Sequence, residues 1–357
     1  DKKEINLAIQ CVPWGDTTWY MDSDEFDGLI GKIMKYSVAT QEKADVSFQV
    51  ILPNEWDPEI ANYNVGITAG VETDRCNPEW INCVNKMDHL VTPSEHIKKC
   101  FSNSGKINVP VSVIPESFPD SLQSDEYEEI LDFEKDFNFL IFGQLTSPNP
   151  EDDRKNIIKT IHLIRETLKD KDDVGIILKS NSGRSSIMDY KATQGIVTAA
   201  LKQLNGKSNV DVTLLHGHFS DESLRNLYLN PKIKCLISLT RGEGFGLPIL
   251  ESAASGLPVI ATKWSAHTDY MKKDSYLKVG YDLKPINSSR YDGNIFMPGA
   301  HWAEFNPKSA AESIEKIYKH YSIYKKRALE HQKSIRETHS FEAIRRIYDE
   351  KFGLMIC

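Results

Sequence analysis

Short runs of apolar residues alternate along this chain with stretches whose apolar residues recur every three or four positions. The runs indicate buried strands, and the periodic stretches indicate amphipathic helices. The predicted strands are residues 5–12, 46–52, 63–68, 87–95 with its turn, 109–115, 138–143, 174–179, 210–215, 235–239 and 258–262. The predicted helices are residues 25–38, 80–86, 193–203, 247–255, 310–320, 323–335 and 341–352, and two more helices are predicted to begin at residues 154 and 220. Strands that alternate with helices in this way are typical of parallel sheets covered on both faces.

One strongly acidic stretch, residues 120–136, interrupts the alternation and is the best candidate for a linker or boundary. The strand–helix order recurs on both sides of it. We therefore predict an α/β fold of two facing, Rossmann-like doubly wound domains with a cleft between them. The predicted domains are residues 1–135 and residues 136–335, followed by a last helical segment, residues 336–357.

The most informative stretch is residues 234–264, which reads as strand, glycine-rich loop, helix and strand. Gly242, Gly244 and Gly246 lie in the loop. Pro248 follows at a place that suits the first turn of a helix, where its missing N–H costs nothing. A glycine-rich loop leaves backbone N–H groups free to hold an anion, and the dipole of the helix behind it favours negative charge.

Two carboxylates accompany this predicted anion site. Glu243 lies in the loop, and Glu251 follows eight residues later in the helix. Because helical side chains lean toward the N-terminus, Glu251 should point back over the turn at Leu247 and Pro248. Backbone amides for phosphate and carboxylates for hydroxyls suit a nucleotide sugar. The alternative is an acidic loop and a surface helix on a doubly wound sheet.

The string Glu-Gly-Phe-Gly-Leu-Pro-Ile-Leu-Glu at residues 243–251, with Ala-Ala-Ser-Gly-Leu-Pro-Val-Ile-Ala-Thr at residues 253–262, carries a family resemblance. It resembles the Glu-x7-Glu motif of retaining GT-B glycosyltransferases, glycosyltransferase family 4. Met-Asp-x-x-x-x-Pro-Ser at residues 87–94 also resembles a step of that family, and the resemblance extends over about residues 60–270. It implies a GT-B fold, in which the C-terminal helix, residues 336–357, crosses back to the first domain.

The resemblance also implies roles for single residues. Glu243 would lie beside the transferred sugar and Glu251 would bind the ribose of the nucleotide. Lys155 matches the lysine of the basic pair that clamps the diphosphate, whereas Gln144 stands where the family has an arginine. Either Arg154 or Lys179 supplies the second positive charge, or the clamp has a single cation. Cations at a helix start oppose the helix dipole, so phosphate binding gives their placement a reason.

Further donor contacts are expected from loops at strand ends, where ligands of open α/β sheets gather. Gly15 follows the first predicted strand and would let the backbone approach the phosphates, although a plain tight turn explains it equally well. His216 belongs to the loop that contacts the base in the family. The amides aimed at the diphosphate would be those of Gly244, Phe245, Gly246 and Leu247.

Glu72 and Asp74 follow the strand at residues 63–68 and should face the cleft from the first domain. One interpretation is acceptor binding or a proton relay for the incoming hydroxyl, which makes both candidate catalytic residues beside Glu243. The other is that these carboxylates cap the helix predicted to begin at Trp80.

No metal and no other cofactor is expected. Asp22-Ser-Asp24 matches the Asp-x-Asp motif of metal-dependent GT-A enzymes, but acids before a helix are ordinary capping chemistry. The remaining sets of metal-ligand types have poor spacing or lack a third ligand: Cys76, Cys83 and His89, and His216 with His218.

Charge is distributed unevenly along the 357 residues. Residues 1–135 carry 11 Lys and Arg against 25 Asp and Glu, and residues 136–357 carry 32 against 26. The first part would repel nucleic acid, which makes such a partner improbable, whereas the second suits a phosphate-bearing ligand. Six unpaired cysteines indicate a reducing compartment, and no run approaches the roughly 18 apolar residues of a transmembrane segment. We therefore expect a cytoplasmic protein.

We predict a retaining, metal-independent glycosyltransferase that moves a sugar from a nucleotide-diphosphate sugar to an acceptor hydroxyl. The acceptor would be a glycan, a lipid-linked sugar or a small molecule. Three alternatives stay open: another GT-B nucleotide-sugar enzyme, such as an epimerase or phosphorylase; a non-catalytic nucleotide-sugar sensor; and a DNA-modifying glucosyltransferase, against which the acidic first part argues.

Overall fold

The computed structural model describes residues 5–12, 22–38, 42–183, 185–202, 208–272 and 274–356. The elements of the first part of the chain are α1 (Glu25–Tyr36), β1 (Ala44–Val50), β2 (Ala61–Ile67), α2 (Pro78–Val84), β3 (His89–Thr92), α3 (Glu95–Ser104) and β4 (Val111–Val113). Strands β1 to β4 form a parallel sheet in sequence order, called the first sheet below.

The second part continues the alternation. Its elements are β5 (Phe137–Phe142), α4 (Ile157–Thr167), β6 (Val174–Lys179), α5 (Ile187–Lys202), β7 (Asp211–Leu215), α6 (Asp221–Leu229), β8 (Ile233–Ser238), α7 (Leu247–Ala254), β9 (Val259–Thr262), β10 (Leu277–Val279), β11 (Tyr281–Pro285), β12 (His301–Phe305), α8 (Pro307–Lys319), α9 (Tyr321–His339) and α10 (Phe341–Ile356). Strands β5 to β10 form the parallel second sheet, and β11 pairs with β12 as an antiparallel hairpin.

The strand order of the second sheet is β10-β9-β8-β5-β6-β7. From β5 the chain builds outward through β6 and β7, and it then returns to the other side of β5 with β8, β9 and β10. The carboxyl ends of β5 and β8 therefore flank the point where the winding reverses, which is the usual ligand crevice of an open α/β sheet. This topology sets the loops after β5 and β8 side by side.

Both faces of the second sheet are covered by apolar residues. Every residue of β6 is buried, which explains why this strand reads as a continuous apolar run and not as an alternation. Ile157 and Ile161 of α4 pack on one face, and Leu250 and Ala253 of α7 pack on the other. The position of α7 places its N-terminus beside the reversal point.

The last helix leaves the second sheet and packs on the first. Ile344 and Phe352 of α10 form one apolar cluster with Val65 of β2 and Val91 of β3. The domain limits predicted from the sequence stay predictions, since the structure assigns strands and helices and not domain boundaries. None of the helices in the described ranges has the length and apolarity needed to cross a bilayer.

The predicted first strand, residues 5–12, is wrong. These residues have no strand conformation, and the first sheet begins at β1. The backbone N–H of Ile9 donates to the carbonyl of Tyr36, but Ile5 is 58% exposed and Leu7 45% exposed. Alternating apolar residues specify a strand only when one face of the strand is buried, and neither face of residues 5–12 is buried.

Candidate functional site

The glycine-rich turn between β8 and α7 lies in close contact with the first part of the chain. A Cβ atom on Gly242 would overlap the carbonyl oxygen of Glu72, and one on Gly244 would lie 2.8 Å from that of Ala69. Gly246 has φ of 91° and forms the N-cap of α7. Glycine is therefore required twice for close approach and once for a left-handed backbone.

The turn presents backbone donors to the crevice. Within the described part of the chain, no N–H group from Gly244 to Leu247 donates to another protein atom. The amide of Glu243 donates to Ser265 Oγ at 3.0 Å, which fixes the start of the turn. An anion site needs such donors, and anion binding at the N-terminus of α7 stays a prediction.

Glu243 is only 7% exposed and is paired with a lysine from the loop after β5. The ammonium of Lys155 donates to both carboxylate oxygens, at 2.7 and 2.8 Å. Burial alone would raise the pKa of Glu243, but the charges of Lys155 and Arg154 outweigh it and lower the pKa. Glu243 is therefore held as a carboxylate.

Arg154 connects this pair to the first part of the chain. Its Nη2 lies 3.3 Å from Glu72 Oε1, its Nη1 lies 3.8 Å from Glu243 Oε2, and Nη1 also donates to the Gly242 carbonyl at 2.9 Å. Burial lowers the pKa of Arg154, but the carboxylates of Glu72 and Glu243 raise it by more. Two cations and two carboxylates thus meet in one largely buried cluster across the crevice.

The cations lie before the helix and do not open it, which corrects the sequence prediction. Helix α4 begins at Ile157, and its N-cap Asn156 has φ of 54°, in the left-handed region. The Asp153 carboxylate accepts from the Ile157 amide at 2.7 Å and from the Thr146 hydroxyl at 2.8 Å. A carboxylate at this position compensates the helix dipole, which leaves Arg154 and Lys155 free to turn toward the glycine loop.

Arg241, which the sequence analysis did not single out, holds the same loop in place. It is 1% exposed, and its guanidinium donates to the carbonyls of Glu151 and Asp153 at 2.8 and 2.9 Å. It also pairs with Glu304 of β12 at 2.8 Å and lies over the ring of Trp302. An arginine beside the motif was the available signal, but its partners come from distant strands.

Lys155 reaches the end of β5 even though Gln144 stands where the family resemblance has an arginine. A Cβ atom on Gly143 would lie 3.3 Å from Lys155 Cδ, so the lysine stem crosses directly over the end of β5. Lys179 points elsewhere: its ammonium donates to the Gly217 carbonyl and lies over the Phe219 ring. Burial lowers the pKa of Lys179. Of the two candidates for the second cation, Arg154 is the one that contacts Glu243.

Glu251 is buried in α7 and accepts a hydrogen bond from the Tyr228 hydroxyl at 2.6 Å. Burial raises the pKa of Glu251, although the hydrogen bond from Tyr228 opposes the rise. The alternative of a surface helix is therefore wrong, because most residues of α7 are buried.

His216 follows β7 and pairs with Asp189 of α5, with Nε2 2.7 Å from Oδ2. The ring of Tyr190 stands edge-on to it. These contacts join α5 to the loop that follows β7. Gly15 lies outside the described residues.

Glu72 and Asp74 diverge in the structure. Glu72 joins the buried cluster, whereas Asp74 accepts from the backbone N–H of His301 at 2.6 Å and lies 3.4 Å from its Nδ1. Neither caps the next helix, because the N-cap of α2 is Asn77, whose side chain accepts from the Glu79 amide. The capping alternative is wrong, and the catalytic roles stay predictions.

The structure also shows where the candidate metal ligands lie. Across the described ranges, no three His, Cys, Asp or Glu side chains converge as metal ligands. Asp22 and Asp24 are exposed, and the Asp24 side chain makes no capping hydrogen bond to α1. The five cysteines in the described ranges, among them Cys76 and Cys235, are free thiols.

The two parts of the chain also touch around the cluster. The Ser94 hydroxyl donates to the Gly244 carbonyl at 3.2 Å, and the Glu95 amide donates to Asp269 Oδ2 at 2.7 Å. A left-handed turn follows β9, where Ser265 has φ of 84°.

Residues 197–334 match the family described as "Glycosyl transferases group 1". The match includes Glu243, Glu251 and Arg241. It does not include Lys155 or the first sheet.

Several solved structures are similar over most of the chain. Sucrose-phosphate synthase from Thermosynechococcus elongatus has a TM-score of 0.57 at 13% identity, covering 92% of this chain and 77% of its own. The E. coli trehalose-6-phosphate protein bound with UDP-2-fluoro glucose has a TM-score of 0.59 at 11% identity, with coverages of 90% and 75%. The Anabaena protein HepE in complex with UDP and glucose has a TM-score of 0.55 at 15% identity, with coverages of 82% and 72%.

The fold is GT-B. Two parallel α/β sheets face each other across the crevice, and the chain returns to the first sheet through α10. At these identities the likeness concerns the fold alone.

One curated relative matches in sequence. Uncharacterized protein 356 of Sulfolobus islandicus rod-shaped virus 1 is 29% identical over 221 residues, which is 58% of this chain and 54% of that protein. The chain therefore spans about half the length of the curated relative that it matches.

Proposed function

We propose that this protein is a retaining glycosyltransferase that transfers a sugar from a nucleotide-diphosphate sugar to an acceptor hydroxyl. The observation that carries the proposal is the contact of Lys155 and Arg154 with Glu243 beside the N-terminus of α7. Largely buried cations, next to backbone amides that have no acceptor in the described part of the chain, form a site for a diphosphate. The group 1 glycosyltransferase match over residues 197–334 agrees with this chemistry.

In the proposed donor complex, Lys155, Arg154 and the amides from Gly244 to Leu247 hold the diphosphate. The phosphate oxygens would compete with Glu243 for the ammonium of Lys155. Glu243 then becomes available for hydroxyls of the sugar and for the positive charge that the sugar develops in the transition state.

Glu251 would bind the ribose hydroxyls. Its carboxylate is already oriented by Tyr228, whose hydroxyl occupies only Oε2. Oε1 stays available to accept from a ribose. Lys179 and His216 would line the nucleotide end of the same crevice.

The acceptor would bind from the first sheet, with Glu72 near the reacting centre through Arg154. As the family resemblance implies, the acceptor oxygen bonds to the anomeric carbon on the face from which the diphosphate departs. The acceptor proton leaves with the diphosphate. No metal is needed in this proposal, because two cations and the helix amides neutralise the leaving group. A cytoplasmic location belongs to the same proposal.

A thermal-shift series with UDP-, GDP-, ADP- and CDP-sugars tests donor binding, because a ligand raises apparent stability by RT ln(1 + [L]/Kd). The bound donor is then incubated with candidate acceptors, and the anomeric configuration of the product is read by NMR. A retained configuration supports the proposal. An inverted product overturns the retaining mechanism.

Other products identify the alternatives. A free epimerised nucleotide sugar indicates an epimerase, and a sugar phosphate formed from inorganic phosphate indicates a phosphorylase. A donor that binds but is never transferred or hydrolysed indicates a sensor.

A further inference from the structure

A cavity of about 500 Å³ opens where the strands of the first sheet end. Its walls come from the residues that follow β2, β3 and β4, and from α10 on the opposite side. Most of the lining is apolar, including Ile67, Pro93, Ile114, Ile344 and Tyr348. A pocket of this size and character binds a small organic molecule with a substantial apolar part.

The cavity adjoins the glycine loop of the proposed donor site. Leu247, the first residue of α7, lines it and is 39% exposed, a large fraction for an apolar side chain in this otherwise buried helix. The segment Ala69–Gly70 is shared by both sites: it lines the cavity, and the Ala69 carbonyl packs against Gly244. A molecule in the cavity would therefore lie next to the proposed diphosphate site.

One carboxyl group lines the cavity without a partner. Within the described ranges, Glu116 makes no hydrogen bond or ion pair to the protein. Burial raises the pKa of Glu116 to about 6. Its charge acts on Tyr348, whose pKa is raised by burial first and by Glu116 in addition. An anionic ligand would be repelled here, and the net negative charge of residues 1–135 has the same effect at longer range.

We propose that this cavity holds the apolar body of the acceptor, and that the acceptor is a neutral aromatic alcohol. The proposal rests on the proposed transfer reaction, since it identifies the acceptor class of that same crevice. The volume admits a fused two-ring system. Tyr348, Pro93 and Pro115 offer flat surfaces for the rings, and the edge at Gly70 and Leu247 leaves the hydroxyl beside the donor.

The test measures binding of 1-naphthol to the full-length protein by calorimetry. Ile67→Trp fills the cavity from the end of β2 and should weaken binding at least about tenfold, or 1.4 kcal/mol. Ile323→Trp is the matched control, because Ile323 is exposed on α9 and away from the cavity. Val50→Asp is a second variant in case Ile67→Trp does not fold, since Val50 lines the rim and is exposed.

A charge test separates the cavity from general hydrophobic binding. Wild-type protein should bind 1-naphthoate at least about tenfold more weakly than 1-naphthol at pH 8, and Glu116→Gln should narrow that gap. Equal binding of 1-naphthol by wild type, Ile67→Trp and Val50→Asp overturns the proposal. If Glu116→Gln prefers 1-naphthol over 1-naphthoate as strongly as the wild type does, the proposal is also overturned.

Donor binding is measured in parallel by thermal shift with the four nucleotide sugars. Nucleotide binding without 1-naphthol binding refutes the acceptor assignment and leaves the proposed transferase standing. If the protein binds 1-naphthol but none of the four nucleotide sugars, the proposed function is refuted, and with it the assignment of the cavity to an acceptor.

Discussion

The ammonium nitrogen of Lys155 lies 2.7 and 2.8 Å from the two carboxylate oxygens of Glu243. The lysine follows β5 and the glutamate follows β8, so the pair joins the two loops at the reversal of the second sheet. Both side chains are largely buried, where an ion pair is weakly screened. A nucleotide diphosphate entering the crevice must compete with this contact.

Removing the cation should therefore affect both stability and donor binding. Lys155→Met leaves Glu243 as a buried charge, and the free energy of unfolding should fall by about 3 kcal/mol in urea denaturation. The control Lys316→Met breaks an exposed pair with Glu312 and should cost less than about 0.5 kcal/mol. In the double variant Lys155→Met/Glu243→Leu, stability should recover while nucleotide-sugar affinity stays low. Recovery of both would show that Lys155 does not touch the donor.

The ribose role of Glu251 predicts a defect in binding. Glu251→Ala should weaken nucleotide affinity by roughly 1–3 kcal/mol, as expected for a buried hydrogen-bonded carboxylate. Tyr228→Phe removes one oriented hydrogen bond and should cost about 1 kcal/mol. Calorimetry measures both, with the exposed Glu315→Ala as a control. Unchanged nucleotide affinity in Glu251→Ala would remove the role.

Arg241 is expected to position the phosphate-binding loop. Arg241→Lys keeps the charge but cannot contact Glu304 and the backbone carbonyls of residues 151 and 153 together, so donor Kd should rise about tenfold. The rise should appear in KM for the donor, with kcat less affected. Arg345→Lys, at an exposed position of α10, should leave both unchanged. An equal fall of kcat with constant KM would contradict a positioning role.

Chelation tests the proposed independence from metal. Transfer activity should persist after EDTA treatment, because Lys155, Arg154 and the amides of α7 neutralise the leaving diphosphate. Loss of activity with recovery in manganese would revive the Asp22 and Asp24 interpretation. Asp22→Asn/Asp24→Asn should then abolish the rescue.

His331 predicts how stability depends on pH. Burial, with added repulsion from Lys272 and His339, lowers the pKa of His331 from 6.5 to about 4. The unfolded chain therefore binds a proton between pH 6.5 and 4 that the folded chain does not, so stability is lost as pH falls through that window. The loss should be on the order of 3 kcal/mol at pH 4, and His331→Leu should reduce it. Equal acid sensitivity of the two proteins by chemical denaturation would refute this.

The sequence was sufficient for the elements that have a strong local signal. Backbone chemistry alone defines the strand, turn and helix around the motif, through the apolar run before Gly242, the proline at the start of α7 and the glycine that follows α7. The structure confirms these elements. The parallel sheets follow from the same alternation. The motif also identified Glu243, whose burial depends on that turn.

The sequence failed where tertiary contacts decide. Residues 5–12 have the pattern of a strand but lack the burial that would stabilise one. Glu72 and Asp74 are two residues apart, yet one contacts Arg154 and the other contacts His301, and no local rule separates them. Arg241 and Glu116 have partners or surroundings drawn from distant segments, which a single sequence does not display.

The packing of α10 on the first sheet has a consequence for biosynthesis. The helix that completes the apolar cluster of Val65 and Val91 is synthesised only after the whole second sheet. Domains usually fold in the order in which they are made. Here the sheet that is made first needs a helix that follows the whole second sheet, so synthesis of α10, and not emergence of β4, sets the moment at which the first sheet can become fully native.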